Sequence, residues 1–220
     1  MPVVRAGELN IHYKLTGRSS GEPIVFIGGL GADWTTWSLQ LKEFEKDYLC
    51  LAFDNRDSGL TESSPDREYN LQDMARDTVE LTHALGIDFA HIVGHSMGGA
   101  IAQELTIAFP ERVASLTLVA TFSRIGPLGL EILKDIGPLN SLSENGFLSE
   151  LVAPIAFNIK SLNDQVLINF IRDQGHASPF NAPTEGYKRQ LRAIMVEDVT
   201  PQRLGSVSYT HLTLPTKRIV

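Results

Sequence analysis

Ser96 is the residue in this sequence best placed for covalent chemistry. It stands in Gly94-His95-Ser96-Met97-Gly98-Gly99, a G-x-S-x-G pattern. A short apolar run at 89–93 (FAHIV) precedes it and a helix-forming stretch at 99–109 (GAIAQELTIAF) follows. A serine on a sharp strand-to-helix turn is held in a strained backbone conformation, with its hydroxyl presented at the carboxyl edge of a sheet. Glycine on either side lets the strand and helix backbones approach without Cβ clashes. The start of the helix beneath the hydroxyl favours developing negative charge. A bare G-x-S-x-G recurs by chance. Its place between a strand and a helix favours the nucleophile over the blander alternative, a Gly-rich helix N-terminus capped by serine.

A serine nucleophile needs a base, and the base needs an orienting acid. His95 adjoins Ser96, but on a sharp turn its side chain is expected to point away from the hydroxyl, so it is read as lining the pocket or bracing the turn. His12, His83 and His91 precede the turn with no motif around them. After it come His176, in a polar stretch (QGHASPF), and His211, near the end of the chain. No general base or acid is assigned from these residues.

The elements around Ser96 follow from hydropathy. Val3–Ala6 and Leu9–Leu15 read as antiparallel strands joined at Gly7-Glu8, and the short apolar run 24–27 (IVFI) as a strand covered on both faces. Gly28-Gly29-Leu30-Gly31 breaks that strand. A helix is expected over Trp34–Lys46 with Asp33 as N-cap, then a buried strand over Tyr48–Phe53 and a polar loop over Asn55–Asp66. An amphipathic helix over Leu71–Leu85 is capped by Asn70 and ended by Gly86. Val113–Ala120 reads as another buried strand. Strands and helices alternating with short connections mean a mostly parallel sheet with helices on both faces. Sites in such sheets lie at the strands' carboxyl ends. Three loops meet there: 28–33, 54–61 and the Ser96 turn. Beyond Thr121 the pattern turns helical, over about 128–136, 143–157, 162–173 and 185–196, as expected of an insertion over that edge.

Composition narrows the function. The chain has 220 residues, 43% of them hydrophobic, enough for one substantial core. A formal net charge of −7 argues against nucleic acid and anionic membranes as partners. The single cysteine, Cys50, rules out an internal disulfide or a cysteine-rich metal site. No signal-like or membrane-spanning run is visible, so a cytoplasmic protein is expected.

Three motifs resemble the α/β-hydrolase superfamily, in its small capped esterase and lactonase group. IVFIGGLGADWTTW is similar to the family's oxyanion loop, with Gly28-Gly29 where a His-Gly pair is usual. FDNRDSGLT, at 53–61, is similar to its D-x-R-G-x-G-x-S loop, with Asp57 in place of a glycine. GHSMGG is the third. The resemblance implies an α/β-hydrolase fold with a helical cap. It makes Ser96 the nucleophile and the backbone N–H groups of Leu30 and Met97 the oxyanion hole. Asp54 and Arg56 are read as structural. It further implies a serine hydrolase of small carboxylic esters or lactones acting through an acyl-enzyme, with no metal or organic cofactor. Serine at the turn counts against dehalogenase and epoxide-hydrolase chemistry. A cofactor-free perhydrolase, or a small-ligand receptor with little turnover, shares the motifs.

In that family the order along the chain is Ser, then Asp or Glu, then His. The strand that carries the acid is expected after about residue 205, where the sequence reads SVSYTHLTLPTKRIV instead. VSYTHLTLPT, at 207–216, resembles a translated sequencing-library adapter. The expected organisation is therefore a core over 1–122, a helical cap over 123–200, the start of a return to the core at 201–205, and a non-native tail from 206 to 220. On that reading the last strands and helix are missing and the chain as written is inactive.

Overall fold

A computed structural model of the chain describes residues 2–62, 67–140, 165, 169 and 184–196. Six strands form the sheet: β1 Val3–Ala6, β2 Leu9–Gly17, β3 Pro23–Ile27, β4 Leu49–Phe53, β5 Ala90–His95 and β6 Val113–Val119, in the order β1-β2-β4-β3-β5-β6. The first two strands run antiparallel, and β4, β3, β5 and β6 pair in parallel. The helices are α1 Ser38–Phe44, α2 Leu71–Ala84, α3 Met97–Ala108, α4 Pro127–Asn140 and α5 Thr184–Val196.

The all-apolar reading of β3 corresponds to two buried clusters, one on each face of the sheet. Ile24 and Phe26 point to one side, packing with Trp37, Leu41, Cys50 and Ala52. Val25 and Ile27 point to the other, joining Leu51, Phe53, Met74, Leu81, Ile101 and Leu105 from the neighbouring strand and from α2 and α3. Side chains alternate along a strand, so a run covered on both faces must be apolar throughout.

Several boundaries differ from the sequence expectation. The helix expected over Trp34–Lys46 is a 3₁₀ turn, Trp34–Trp37, followed by the shorter α1. Asp33 does cap it, accepting from the Thr35 N–H, but aromatic and β-branched Trp-Thr-Thr-Trp is a poor α-helix former. The cap at Asn70 is a full capping box with Asp73, and Gly86 ends the helix at φ +72°. β6 is not the buried strand expected. It is a border strand of the described sheet, and Leu118 and Val119 are exposed. The 55–66 loop is polar but not solvated at its start, since Asn55, Arg56, Asp57 and Ser58 are all buried. Of the expected cap, 185–196 corresponds to α5 and 128–136 extends into α4. The stretches 143–157 and 162–173 (apart from helical Gln165 and Asn169) and the tail from 206 lie outside the described residues.

Candidate active site

The turn between β5 and α3 is a single residue. β5 runs through Gly94 and His95, paired with Leu118 and Val119 of β6, and α3 begins at Met97. Ser96 alone reverses the chain, at φ +53° and ψ −121°. A left-handed, non-glycine backbone of this kind costs of order 1–3 kcal/mol and persists only where its surroundings over-determine it. The surroundings do so here. The Ser96 N–H donates to Val119 O at 3.0 Å. The Ser96 carbonyl accepts from the Gly99 N–H at 2.9 Å and from Thr121 Oγ1 at 2.6 Å.

The glycines make the close approach possible. A Cβ on Gly94 would lie 2.7 Å from Gly98 C, and one on Gly98 would meet Ile27 O and sit 2.6 Å from Gly28 O. α3 therefore begins directly against the end of β3 and the loop that leaves it. That loop passes Ser96 closely: a Cβ on Gly29 would lie 3.3 Å from Ser96 Cβ and 3.4 Å from His95 Nδ1.

Leu30 and Met97, the expected oxyanion donors, flank Ser96 on these two elements. Neither N–H is taken up by a hydrogen bond to another described residue. Met97 is fully buried and Leu30 packs against the same core cluster. The His95 ring meets Trp37 edge-on, with ring centroids 6.3 Å apart. Burial pushes its imidazole below the ordinary value.

The loop after β4 is the scaffold beneath. Asp54, at the strand's end, binds His12 Nδ1 at 2.6 Å and accepts from the N–H groups of Trp34 (2.8 Å) and Leu60 (2.9 Å). Burial raises its pKa, opposed by those three partners. Arg56 makes a two-point pair with Asp77, both contacts at 2.6 Å. These partners account for Asp54 and Arg56 as structural groups. The amide of Asn55 donates to Gly28 O at 3.1 Å, bracing the loop where the resembled family has its histidine.

Three residues at this edge have partners that the sequence reading did not find. His12 is the buried partner of Asp54. Arg189 of α5 holds Asp57 through Nε at 2.8 Å and Nη2 at 2.6 Å, and Tyr69 donates its hydroxyl to the same carboxylate at 2.8 Å. Gln190 joins the loops after β3 and β4, accepting from the Gly31 N–H and donating to Arg56 O and Ser58 Oγ. The signal for the last two lay in α5. Arg189 and Gln190 share the buried face of that helix with Tyr187, Leu191, Ala193 and Ile194, and polar groups on an apolar face need buried partners. No group of three metal-ligating side chains occurs among the described residues, and no described helix is long and apolar enough to cross a membrane.

A parallel sheet, a one-residue strand-to-helix turn bearing serine, and a glycine loop against it define a hydrolase-type α/β site. The chain belongs to the alpha/beta hydrolase fold family, whose pattern residues 22–174 match. Among curated proteins it is 36% identical over 115 residues to the RutD protein of Variovorax paradoxus, named as a carbamate hydrolase, covering 52% of this chain and 43% of that one. It is 41% identical over 119 residues to BpoC of Mycobacterium tuberculosis, named as a non-heme bromoperoxidase, covering 53% of this chain and 44% of the relative. The matches thus span less than half the length of these two relatives. Among solved structures, the enol-lactonase of Burkholderia xenovorans LB400 superposes with a TM-score of 0.73 at 25% identity, covering 90% of this chain and 75% of that one.

Proposed function

We propose that this chain derives from a serine hydrolase of small carboxylic esters or lactones. The observation that carries the reading is the strained Ser96 backbone at the β5–α3 junction, with the Gly28–Gly31 loop against it. In the proposed reaction Ser96 Oγ bonds to the carbonyl carbon. The N–H groups of Leu30 and Met97 donate to the oxygen that becomes anionic. Collapse of the tetrahedral intermediate breaks the ester bond and leaves an acyl group on Ser96. Water then attacks that acyl group and releases the acid. The proton of Ser96 passes through a base to the leaving oxygen. No described residue is assigned as that base or as its orienting acid. The substrate is a small molecule, and the enol-lactonase likeness supports an ester or lactone carbonyl. The protein acts in the cytoplasm on this reading.

A perhydrolase, in which hydrogen peroxide replaces water on the acyl-enzyme, is the second reading, favoured by the BpoC relative. The test uses the full-length gene product. It should hydrolyse p-nitrophenyl acetate, and Ser96→Ala should lower kcat at least 1,000-fold. Turnover untouched by Ser96→Ala refutes the reading. Peroxide-dependent bromination exceeding ester hydrolysis selects the perhydrolase. Fluorophosphonate labelling of Ser96 without turnover marks a ligand receptor.

A further inference from the structure

We propose that Gln190, on α5, is a positioning residue for the oxyanion loop; this rests on the proposed serine-hydrolase reaction. Its side chain is fully buried. Its carbonyl accepts from the Gly31 N–H at 2.8 Å, and its amide donates to Arg56 O at 2.7 Å and Ser58 Oγ at 2.8 Å. The partners fix the orientation of the amide. A flipped amide would set donor against donor at Gly31 and acceptor against acceptor at Arg56. Gln190 therefore reads the direction of the Leu30–Gly31 peptide and accepts only one.

That peptide is the centre of a tight turn. The Ala32 N–H donates to Gly29 O at 3.2 Å, closing residues 29–32, and Gly31 stands at φ +70°. A positive φ at the third position only is the signature of a type II turn, whose central peptide is reversed relative to type I. Gln190 ties the reversed peptide through its N–H. The Gly29 carbonyl, held by Ala32, fixes the preceding peptide, which carries the Leu30 N–H. The two bonds together set the backbone of the residue that donates to the oxyanion. Asn55 holds the same loop at Gly28 O, but from the core. Gln190 is the hold that comes from the helix packed over the edge, so seating of α5 and assembly of the oxyanion hole are coupled.

An oxyanion donor acts in the transition state more than in the ground state, so its misplacement lowers kcat and spares KM. In the full-length protein, Gln190→Leu and Gln190→Asn should lower kcat on p-nitrophenyl acetate about 10- to 100-fold, with KM within about twofold. Gln190→Glu keeps an oxygen for the Gly31 N–H but sets an acceptor against Arg56 O in a buried site, so it should lower kcat as well rather than recover it. Arg192→Ala, on the exposed face of the same helix, should leave kcat unchanged. If Gln190→Leu does not fold, Gln190→Asn and Gln190→Glu decide the matter. Unchanged kcat in folded Gln190 variants, or a rise in KM alone, overturns the proposal. If Ser96→Ala also leaves turnover intact, the serine-hydrolase reading has failed; if Ser96→Ala abolishes it, only the role of Gln190 has.

Discussion

Asp57 and Arg189 lie 132 residues apart and meet as a buried, two-point ion pair at 2.6 and 2.8 Å. Asp57 stands at φ +65°, a conformation that favours glycine. Its carboxylate is thus retained at a backbone cost and serves to seat α5. A Cβ on Gly186 would lie 2.7 Å from Asp57 O, so the helix backbone also rests on this loop. Truncating one partner of a buried pair costs about 3 kcal/mol or more, because the other charge keeps its desolvation cost. Asp57→Ala should cost about that much. Asp57→Gly should cost about 1 kcal/mol less, since it relieves the positive φ. The double variant Asp57→Gly/Arg189→Met should recover part of the loss. Urea midpoints at constant m-value check the order, and an Asp57→Gly no more stable than Asp57→Ala contradicts it.

Ser96 gives a related prediction of opposite sign. Its backbone strain, at φ +53°, is relieved by glycine. Ser96→Gly should therefore stabilise the fold by about 1 kcal/mol while removing the nucleophile. Thermal melting of Ser96→Gly beside Ser96→Ala isolates the backbone term. A Ser96→Gly variant that melts below Ser96→Ala would show that the turn is unstrained.

How much of this was legible beforehand depends on the range of the contacts. The β3, β4 and β5 strands and the Asn70 cap declared themselves through local apolar runs and one capping side chain. The Ser96 turn did so through its glycines, because close backbone approach leaves a sequence mark. The Asp57–Arg189 pair and the Gln190 bridge left half a mark: two polar groups on the apolar face of α5 call for buried partners without naming them. Each joins segments more than 130 residues apart, and nothing local to DNRDSGLT says which cation or amide will meet it. His12 was obscured for the same reason: it sits in an ordinary alternating strand, and its partner Asp54 is 42 residues away. The exposure of β6 was hidden too, since an apolar run looks alike at the centre and at the border of a sheet.

His95 makes stability depend on pH. Burial lowers its pKa from 6.5, so the native state favours the neutral ring. Between the lowered native value and 6.5 the unfolded chain binds more protons, and stability rises with pH there. The contribution is therefore complete above about 6.5 and is lost as the pH falls through 6.5 toward the native value. His95→Gln does not titrate. Its melting temperature should fall less than that of the wild type between pH 8 and pH 5. Parallel curves for the two proteins would count against a buried, neutral His95.

Gly29 separates the oxyanion loop from the fold. A methyl group there would meet Ser96 Cβ at 3.3 Å and His95 Nδ1 at 3.4 Å, tight contacts that small shifts can relieve. On Gly98 the same methyl would meet backbone oxygens of Ile27 and Gly28, which cannot move without parting α3 from β3. Gly98→Ala should therefore destabilise strongly, by about 3 kcal/mol. Gly29→Ala should melt within a few degrees of the wild type, while kcat of the full-length protein falls at least tenfold through displacement of the loop. Equal stability losses in the two variants would contradict this division.

Cys50 supplies a probe of the whole sheet. It is the chain's single cysteine, lies in β4 between β2 and β3, and is fully buried. Burial, with a smaller contribution from Glu45, pushes its thiol up to about 11. At pH 8 only about one thiol in a thousand would be ionised even with access to reagent. A central strand becomes accessible only when the sheet opens as a unit, so its reaction with Ellman's reagent should follow global unfolding. The rate should be negligible in buffer, rise steeply with urea through the circular-dichroism transition, and reach one thiol per chain when unfolded. Rapid, stoichiometric reaction in buffer at pH 8 would mean that β4 is exposed in the native protein and that the two-faced packing around it is wrong.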